Sequence, residues 1–175
     1  FDVGCYRGIF SRKIIGLIKN KKYKFYLFDI NKNVKKYISD LILSKYIKYN
    51  EVALSNKNGT AIYNYNSFFE SSGSSLSTLF KNDTKWVISR KFILKILFQN
   101  TNDFIKYKVN TCTLDTFVKK NNIKSIDILK VDIEGSEYDF LKGAKNTLKK
   151  SKVKVILLEV NDKKINYKKK EKKII

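Results

Sequence analysis

The sequence contains no histidine, no methionine and no proline, and it has only seven glycines and two cysteines. Without histidine, any general base must be an aspartate, a glutamate, a lysine or a tyrosine. Cys5 and Cys112 have no metal-type spacing and are too few for a disulfide framework, so they fit a reducing compartment and we expect a cytoplasmic protein. No apolar run approaches the roughly 20 residues that a membrane helix needs, so we expect no membrane span.

The absence of methionine also bears on where the chain starts. Phe1 is not a translation start, and only the end of a first strand would precede Asp2. At the other end, residues 163–175 are rich in lysine and complete no element. We therefore expect both ends to be cut. One domain, of a size that can bury a core, would cover residues 1–162 without most of its first strand, and a lysine-rich tail would cover 163–175.

Negative charge is scarce: the chain has 37 lysines and arginines but only 16 aspartates and glutamates, which gives a formal net charge of +21. A nucleic-acid surface would cluster its positive charges, but here the lysines are spread along the whole chain. Asparagine, isoleucine, tyrosine and phenylalanine are also abundant, which indicates a skewed codon usage. The charge is therefore typical of a solvated lysine surface, and we expect no specific nucleic-acid partner.

Hydrophobic periodicity predicts alternating strands and helices. We expect helices over 9–20, 33–46, 113–121 and 137–149, and strands over 23–30, 47–54, 104–112, 125–133 and 153–160, the last one buried. Asn58-Gly59 predicts a hairpin between short strands at 51–55 and 60–65. Residues 67–85 resemble a loop, and 86–99 fit either a helix or a buried strand. Thr113 and Ser136 are the expected helix caps, the latter with Asp139 at the third position. The order predicts an α/β fold with a mostly parallel sheet and ligands at the carboxyl ends of its strands.

An acid and two glycines lie between a strand end and a helix start, at Asp2, Gly4 and Gly8. Gly4 permits a tight turn and Gly8 permits close packing of the helix on the sheet. The free amides at the helix start suit a carboxylate, and Asp2 suits an ammonium. A ligand with both groups is the amino-acid end of a molecule such as S-adenosylmethionine. A nicotinamide dinucleotide site would have a different glycine spacing.

Two further strand ends could contact the rest of such a ligand. Asp29 follows an apolar strand about 20 residues beyond the glycine turn, where an acid can accept hydrogen bonds from ribose hydroxyls. A solvated turn aspartate before Asn31 is the alternative. Ala53, a small residue at the next strand end, could lie against a flat adenine; a core alanine is the alternative.

The most informative stretch is the strand end at 128–137. Side chains alternate along a strand, so Lys130, Asp132 and Glu134 would share one face. Three charges at the end of a buried strand are costly unless they face a cleft and pair with one another. An ion-paired structural cluster is the alternative. Gly135 and Ser136 would then turn the chain into a helix.

Taken together, these segments resemble the FkbM methyltransferases in order and spacing, over residues 1 to about 160. The matching segments are Asp2-Val3-Gly4 with Gly8, Phe28-Asp29, Ala53-Leu54-Ser55, Ser72-Gly73-Ser74-Ser75-Leu76, Thr113-Leu114-Asp115-Thr116-Phe117, residues 129–137, and Leu157-Leu158-Glu159-Val160. Two departures stand out: the family usually has Ala-Asn at Cys5-Tyr6, and Glu-Pro at Asp29-Ile30. The shorter Asp29 keeps the carboxylate but reaches less far toward a ribose.

The resemblance implies a Rossmann-like class I methyltransferase that uses S-adenosylmethionine to O-methylate a small hydroxylated acceptor, such as a sugar. The residues expected to bind the cofactor are Asp2, Gly4, Cys5, Tyr6, Gly8, Asp29 and Ala53. Asp132 or Glu134 would orient or deprotonate the acceptor hydroxyl, with Lys130 offsetting the developing charge. Asp132, Glu159 and Asp162 could instead imitate a magnesium site, although we expect no metal.

Three alternatives belong to other classes. A base-amine methyltransferase commonly needs an Asn/Asp-Pro-Pro-aromatic loop, which a chain without proline cannot form, but an RNA methyltransferase would use the positive surface. A nicotinamide-dependent oxidoreductase would bind NAD. A non-catalytic remnant of the fold would bind no S-adenosylmethionine. The acceptor loops are expected within 67–100, and they carry no chemical signature.

Overall fold

The computed structural model describes residues 1–18, 23–66, 104–150 and 152–159. The predictions for 67–85, 86–99, 72–76 and the tail at 163–175 fall outside them. The strands are β1 (Asp2–Val3), β2 (Phe25–Phe28), β3 (Ile47–Asn50), β4 (Ala53–Leu54), β5 (Gly59–Asn66), β6 (Phe104–Cys112), β7 (Ile126–Val131) and β8 (Val153–Leu158). The helices are α1 (Ile9–Leu17), α2 (Val34–Tyr37), α3 (Ser39–Ile42), α4 (Leu114–Lys120), α5 (Glu137–Gly143) and α6 (Lys145–Lys149).

Five strands form a parallel sheet in the order β3-β2-β1-β7-β8. This confirms the predicted mostly parallel, Rossmann-like α/β fold. The register places Asp2 beside Lys130 and Val3 beside Val131, so the ends of β1 and β7 are neighbours. The order runs outward from β1 to both sides, and such a switch point is where open α/β sheets bind ligands.

Two hydrophobic clusters pack against opposite faces of this sheet, because successive strand residues such as Leu27 and Phe28 point to opposite sides. Both side chains are almost completely buried. One cluster packs α2 and α3 against the sheet through Phe25, Leu27, Val34, Ile38, Leu41 and Ile47. The other packs α4 and α5 through Val3, Phe28, Leu114, Phe117, Leu129, Val131 and Phe140. The sheet therefore carries helices on both faces, as predicted.

A second, smaller sheet has the order β4-β6-β5, and it corrects the hairpin predicted around Asn58-Gly59. β5 pairs antiparallel with β6 along its whole length, and β4 pairs with the other edge of β6. The predicted partners are therefore separated by β6. Asn58 instead accepts a hydrogen bond from the Thr113 amide at 2.9 Å and donates to the Thr116 hydroxyl at 3.1 Å. The long ladder with β6 offers many more backbone hydrogen bonds than the two residues of β4 could.

Several predicted boundaries are also corrected. The first helix ends at Leu17, and the helices predicted over 33–46 and 137–149 are each broken once, at Ile38 and at Ala144. Strand 47–54 divides into β3 and β4, which belong to different sheets. Thr113 is confirmed as a cap, since its hydroxyl oxygen accepts from the Thr116 amide at 3.0 Å.

Ser136 does not cap α5 through its side chain. Its backbone, with φ −99° and ψ 7°, is outside the extended region that a capping residue normally adopts, and its hydroxyl is buried with no hydrogen-bond partner among the described residues. Among the strands that the structure describes, β8 lies at one end of the sheet, and the prediction that it is buried is wrong. Val155, Ile156 and Leu157 are 48%, 41% and 46% exposed.

Candidate active site

The glycine turn between β1 and α1 lies against the end of β7. Gly4 has a φ of 78°, and a Cβ added there would lie 1.7 Å from the carbonyl oxygen of Asp132. Only glycine therefore allows this approach. Its amide donates to the Phe28 carbonyl at 2.9 Å, which ties the turn to β2 as well. The turn is thus fixed on both sides at the centre of the sheet edge.

Gly8, like Asp2, lies away from the cavities that the other residues of the predicted cofactor set line. Its φ is 67°, and a Cβ there would lie 2.8 Å from Leu41 Cδ1 and 3.1 Å from Ile38 Cγ2. Gly8 therefore permits close packing at the start of α1, as predicted. It lines neither of the two cavities at this edge.

Asp29 holds the glycine turn through its carboxylate. Oδ2 accepts from the amide of Tyr6 at 2.9 Å, and Oδ1 accepts from the amide of Asn31 at 3.0 Å. Burial raises the pKa of Asp29, and these amide hydrogen bonds offset part of that rise. A carboxylate has about four acceptor positions, so two amide bonds leave capacity for further donors. Tyr6, whose amide makes one of these bonds, has a φ of 41°, which is unusual for a residue other than glycine.

A cavity of about 290 Å³ opens at the carboxyl ends of these strands, and we call it the main cavity because most of the predicted site residues line it. Six residues of the predicted site line it together: Gly4, Tyr6, Asp29, Ala53, Asp132 and Glu134. Asp29 and Ala53 come from the β2 and β4 side, whereas Asp132 and Glu134 come from the turn after β7. The structure therefore brings the glycine turn and the acidic strand end to one cavity, as the sequence predicts.

Lys130, Asp2 and Cys5 lie outside the lining of the main cavity. Asp2 is completely buried, accepts from the Ser11 hydroxyl at 2.6 Å, and lies 3.5 Å from the ammonium of Lys130. Burial is the largest influence on Asp2 and raises its pKa. The structure differs here from the prediction that Asp2 faces the ammonium of a ligand. Asp2 is buried beside the ammonium of Lys130 instead.

Lys130 is held by three groups. Its Nζ donates to Asp132 Oδ2 at 3.0 Å and to the Gly4 carbonyl at 3.2 Å, besides its contact with Asp2. Burial lowers the pKa of Lys130, but the charges of Asp2 and Asp132 outweigh burial and the net shift is upward. Lys130 and Cys5 line a second cavity of about 310 Å³, which shares Gly4, Tyr6 and Asp132 with the main one. Burial raises the pKa of the Cys5 thiol, so this thiol stays protonated.

The turn that carries Asp132 and Glu134 does not continue the strand. β7 ends at Val131, and Glu134 and Gly135 have φ values of 50° and 95°. The simple alternation expected for Lys130, Asp132 and Glu134 therefore holds only as far as Asp132, whose carboxylate meets Lys130. Glu134 reaches the cavity from a left-handed turn instead.

Two acids of this region were absent from the predicted catalytic and cofactor-binding residues, although Glu159 belonged to the alternative magnesium set. Glu137 is buried and its Oε1 accepts from the amides of Ile133 and Gly135, at 3.2 and 3.0 Å, which fixes the turn; burial raises its pKa. Glu159 lines the main cavity just after β8. A signal for both exists in the sequence, since each acid directly follows an apolar strand or its turn in a lysine-rich chain.

Tyrosines hold the loop after β2 in place. The hydroxyl of Tyr49 donates to the Asp29 carbonyl at 3.0 Å, and that of Tyr107 donates to the Ile30 carbonyl at 3.1 Å. Tyr63, from β5, lines the main cavity and packs edge-on against Tyr107. The small sheet is thereby attached to the cavity wall that carries Asp29.

Neither a metal centre nor a membrane span is found in the described part of the chain. Within residues 1–18, 23–66, 104–150 and 152–159, no group of three or more histidine, cysteine, aspartate or glutamate residues could hold a metal ion. Asp162, the third member of the alternative magnesium set, lies outside these ranges. Over the same residues, no helix has the length and apolar character needed to cross a bilayer.

Comparison with known proteins gives one match, which covers nearly the whole chain. The family model described as the methyltransferase FkbM domain matches residues 2–172. No curated protein and no solved structure matches. The match includes both the glycine turn and the strand end at 128–137, which meet at the main cavity. The chain therefore belongs to the FkbM methyltransferase domain family.

Proposed function

We propose that the chain uses S-adenosylmethionine to methylate a hydroxyl group of a small acceptor such as a sugar. The observation that carries this proposal is the main cavity, which joins Asp29 and Ala53 on one side to Asp132 and Glu134 on the other across the Gly4 turn. The first pair suits a nucleoside and the second suits a reacting hydroxyl.

The lining of the main cavity fits the adenosyl part of the donor. Asp29 keeps acceptor capacity for ribose hydroxyls, and Ala53 lies between Val52 and Leu54 in an apolar wall that suits a flat base. Gly4 leaves room for close approach at the centre. Among the described residues that line this cavity, none is a lysine or an arginine, so a positively charged sulfonium meets no like charge.

S-adenosylmethionine supplies an electrophilic methyl group, and the chain must align an oxygen with it. Alignment contributes most of the catalysis in such a displacement. We propose that Asp132 and Glu134 contact the acceptor hydroxyl. Lys130 donates to Asp132, so its charge acts through Asp132, which it holds at one edge of the cavity. This replaces a direct contact between Lys130 and the acceptor.

Calorimetry with S-adenosylhomocysteine tests the donor site. The unmodified chain should bind it, and Asp29→Asn should weaken binding by roughly 10- to 100-fold, the equivalent of about 1.5–3 kcal/mol for a hydrogen bond to a charged group. Asp127→Asn is the matched control, because Asp127 is an exposed residue paired with Lys154. Circular dichroism should show that both variants are folded. A folded, unmodified chain that does not bind S-adenosylhomocysteine would contradict the proposal.

Transfer of a labelled methyl group tests the acceptor class. Sugars with free hydroxyls should accept the label from S-adenosylmethionine, whereas the same sugars with blocked hydroxyls should not. RNA serves as the competing substrate. Label found in RNA, with steep dependence on salt, would refute the small-acceptor assignment and favour the nucleic-acid alternative.

A further inference from the structure

We propose that Glu159, which lines the main cavity beside Asp132 at the end of the neighbouring strand, is the base that accepts the proton of the acceptor hydroxyl. This inference rests on the proposed function and deepens it. It assigns the proton to a residue at the end of β8, outside the segment that carries Asp132 and Glu134.

Sheet register places the two carboxyl groups side by side. Val131 in β7 is paired with Leu158 in β8, so Asp132 and Glu159 are the next residues on neighbouring parallel strands. The amide of Glu159 donates to the Val131 carbonyl at 2.9 Å, which continues the ladder to this point. Neighbouring strands are about 4.8 Å apart, so both side chains reach the same place, and both line the main cavity.

The surrounding charges give the two acids different tasks. Asp132 receives a hydrogen bond from Lys130, and Lys130 is itself held near Asp2 on β1. Asp132 is therefore anchored inside the sheet edge, whereas Glu159 is exposed to solvent. An exposed carboxyl at the cavity rim can receive a proton and then release it to water.

The charge of Asp132 raises the pKa of Glu159, and burial, a side-chain hydrogen bond with Asp132 and the charge of Glu137 on α5 act in the same direction. Lys130 opposes them. A carboxylate with a raised pKa is a stronger base, and pairs of acids with separated pKa values often divide the roles of acid and base.

Two other acids at this edge of the sheet are engaged by backbone amides. Asp29 accepts from two backbone amides, and so does Glu137. Both shape the site through these bonds. Among the described residues, no backbone amide donates to the Glu159 carboxylate. Only the amide of Glu159 itself forms a backbone hydrogen bond, to the Val131 carbonyl.

The chemical step balances with Glu159 as the base. The acceptor oxygen forms a bond to the methyl carbon while the bond between that carbon and sulfur breaks, and the bonding electron pair stays on sulfur. The hydroxyl proton moves to the Glu159 carboxylate. A sulfonium, a carboxylate and an alcohol thus become a neutral thioether, a carboxylic acid and a methyl ether, with no other reactant.

The first test is the pH dependence of methyl transfer. Glu159→Gln should lower kcat/KM by roughly 100-fold, within the range for general-base catalysis, and should remove the rise in rate through the pKa of Glu159. Its affinity for S-adenosylhomocysteine should stay within about twofold of the unmodified chain, because the proposed role concerns only the proton. Glu51→Gln is the control, since Glu51 forms an exposed ion pair with Lys35. Asp132→Asn should move the rise to lower pH.

The second test needs no turnover. Carbon-13 NMR of glutamate carboxyl groups in the chain without donor should show Glu159, assigned by its loss in Glu159→Gln, titrating above an ordinary glutamate. In Asp132→Asn the midpoint should fall. A chain that binds S-adenosylhomocysteine yet keeps both rate and pH profile in Glu159→Gln would overturn the base assignment alone. So would activity that depends on added Mg²⁺ together with loss of Mg²⁺ binding in Glu159→Gln. A chain that binds no S-adenosylhomocysteine overturns the proposed function instead.

Discussion

Replacing Gly4 by alanine should destabilise the fold severely, because the backbone conformation and the space at this position both exclude a side chain. The backbone there has a φ of 78°, which costs an L-residue roughly 1–2 kcal/mol. The new Cβ would lie 1.7 Å from the Asp132 carbonyl oxygen, and a real contact needs at least 3.0 Å, so the backbone must open by about 1.3 Å. That shift would break the hydrogen bond from the Asp132 amide to the Val3 carbonyl, at a cost of about 1 kcal/mol. It would also disturb the packing between the glycine turn and the end of β7, at a cost of roughly 1–3 kcal/mol. We expect a total loss of about 3–6 kcal/mol of unfolding free energy.

Three other glycines separate the two causes of this loss. At Gly143 a Cβ would lie 2.0 Å from the Ser55 carbonyl oxygen without an unusual φ, so Gly143→Ala should cost roughly 1–3 kcal/mol by crowding alone. Gly59 has a φ of 137° and open space, so Gly59→Ala should cost about 1–3 kcal/mol by backbone strain alone. Gly16 has neither problem within α1, and Gly16→Ala should stabilise the chain by roughly 0.5–1 kcal/mol.

Urea unfolding followed by circular dichroism measures all four variants on one scale. Gly4→Ala should have the lowest midpoint, or be unfolded without urea, and Gly16→Ala the highest. If Gly4→Ala loses less than about 1 kcal/mol of unfolding free energy, the close approach between the glycine turn and the end of β7 is refuted. The placement of Gly4 and Asp132 side by side in the main cavity would then be wrong as well.

Two further predictions concern acids that accept hydrogen bonds from backbone amides. Asp115 accepts from the Thr147 amide and hydroxyl, both at 2.7 Å; burial raises its pKa, but these bonds outweigh burial and the net shift is downward. Asp115→Asn should therefore lose about 1–2 kcal/mol of unfolding free energy at neutral pH. Thermal melts should show this difference disappearing as the pH falls below 3.8, since the charged carboxylate accepts these bonds more strongly than the protonated form. Glu137→Ala should cost roughly 2–4 kcal/mol, whereas Glu137→Gln, which keeps an acceptor for the same two amides, should cost about 1 kcal/mol; equal urea midpoints would contradict this role.

The sequence predictions that the structure confirms are mostly those that depend on neighbouring residues in the chain. Thr113 caps its helix because its side chain and the Thr116 amide are three residues apart on one turn. Gly4 lies in a left-handed turn because no other residue fits there. The segment that became β7 lies inside the parallel sheet, between β1 and β8, where a strand over 125–133 was predicted.

The features that the sequence did not reveal depend on distant partners. Asn58-Gly59 is a hairpin signal over two residues, but β6, far along the chain, competes for the same edge and separates β4 from β5. Asp2 has a partner only because the register places Lys130 beside it. Periodicity continues through Ile38, where the helix nevertheless breaks. The apolar composition of residues 153–160 likewise predicted a buried strand. β8 instead lies at one end of the described sheet, and most of its side chains are exposed.

The tyrosine hydroxyls on the loop after β2 bind main-chain carbonyls, those of Asp29 and Ile30. The course of the backbone at Ile30 is consequently fixed by residues elsewhere in the sequence, and the side chain of Ile30 remains free to change. Relatives could exchange the residue at position 30 without losing the path of the chain, whereas position 29 must keep an acceptor for the amides of Tyr6 and Asn31. Phenylalanine in place of either tyrosine would remove that freedom while leaving the packing of the rings almost the same.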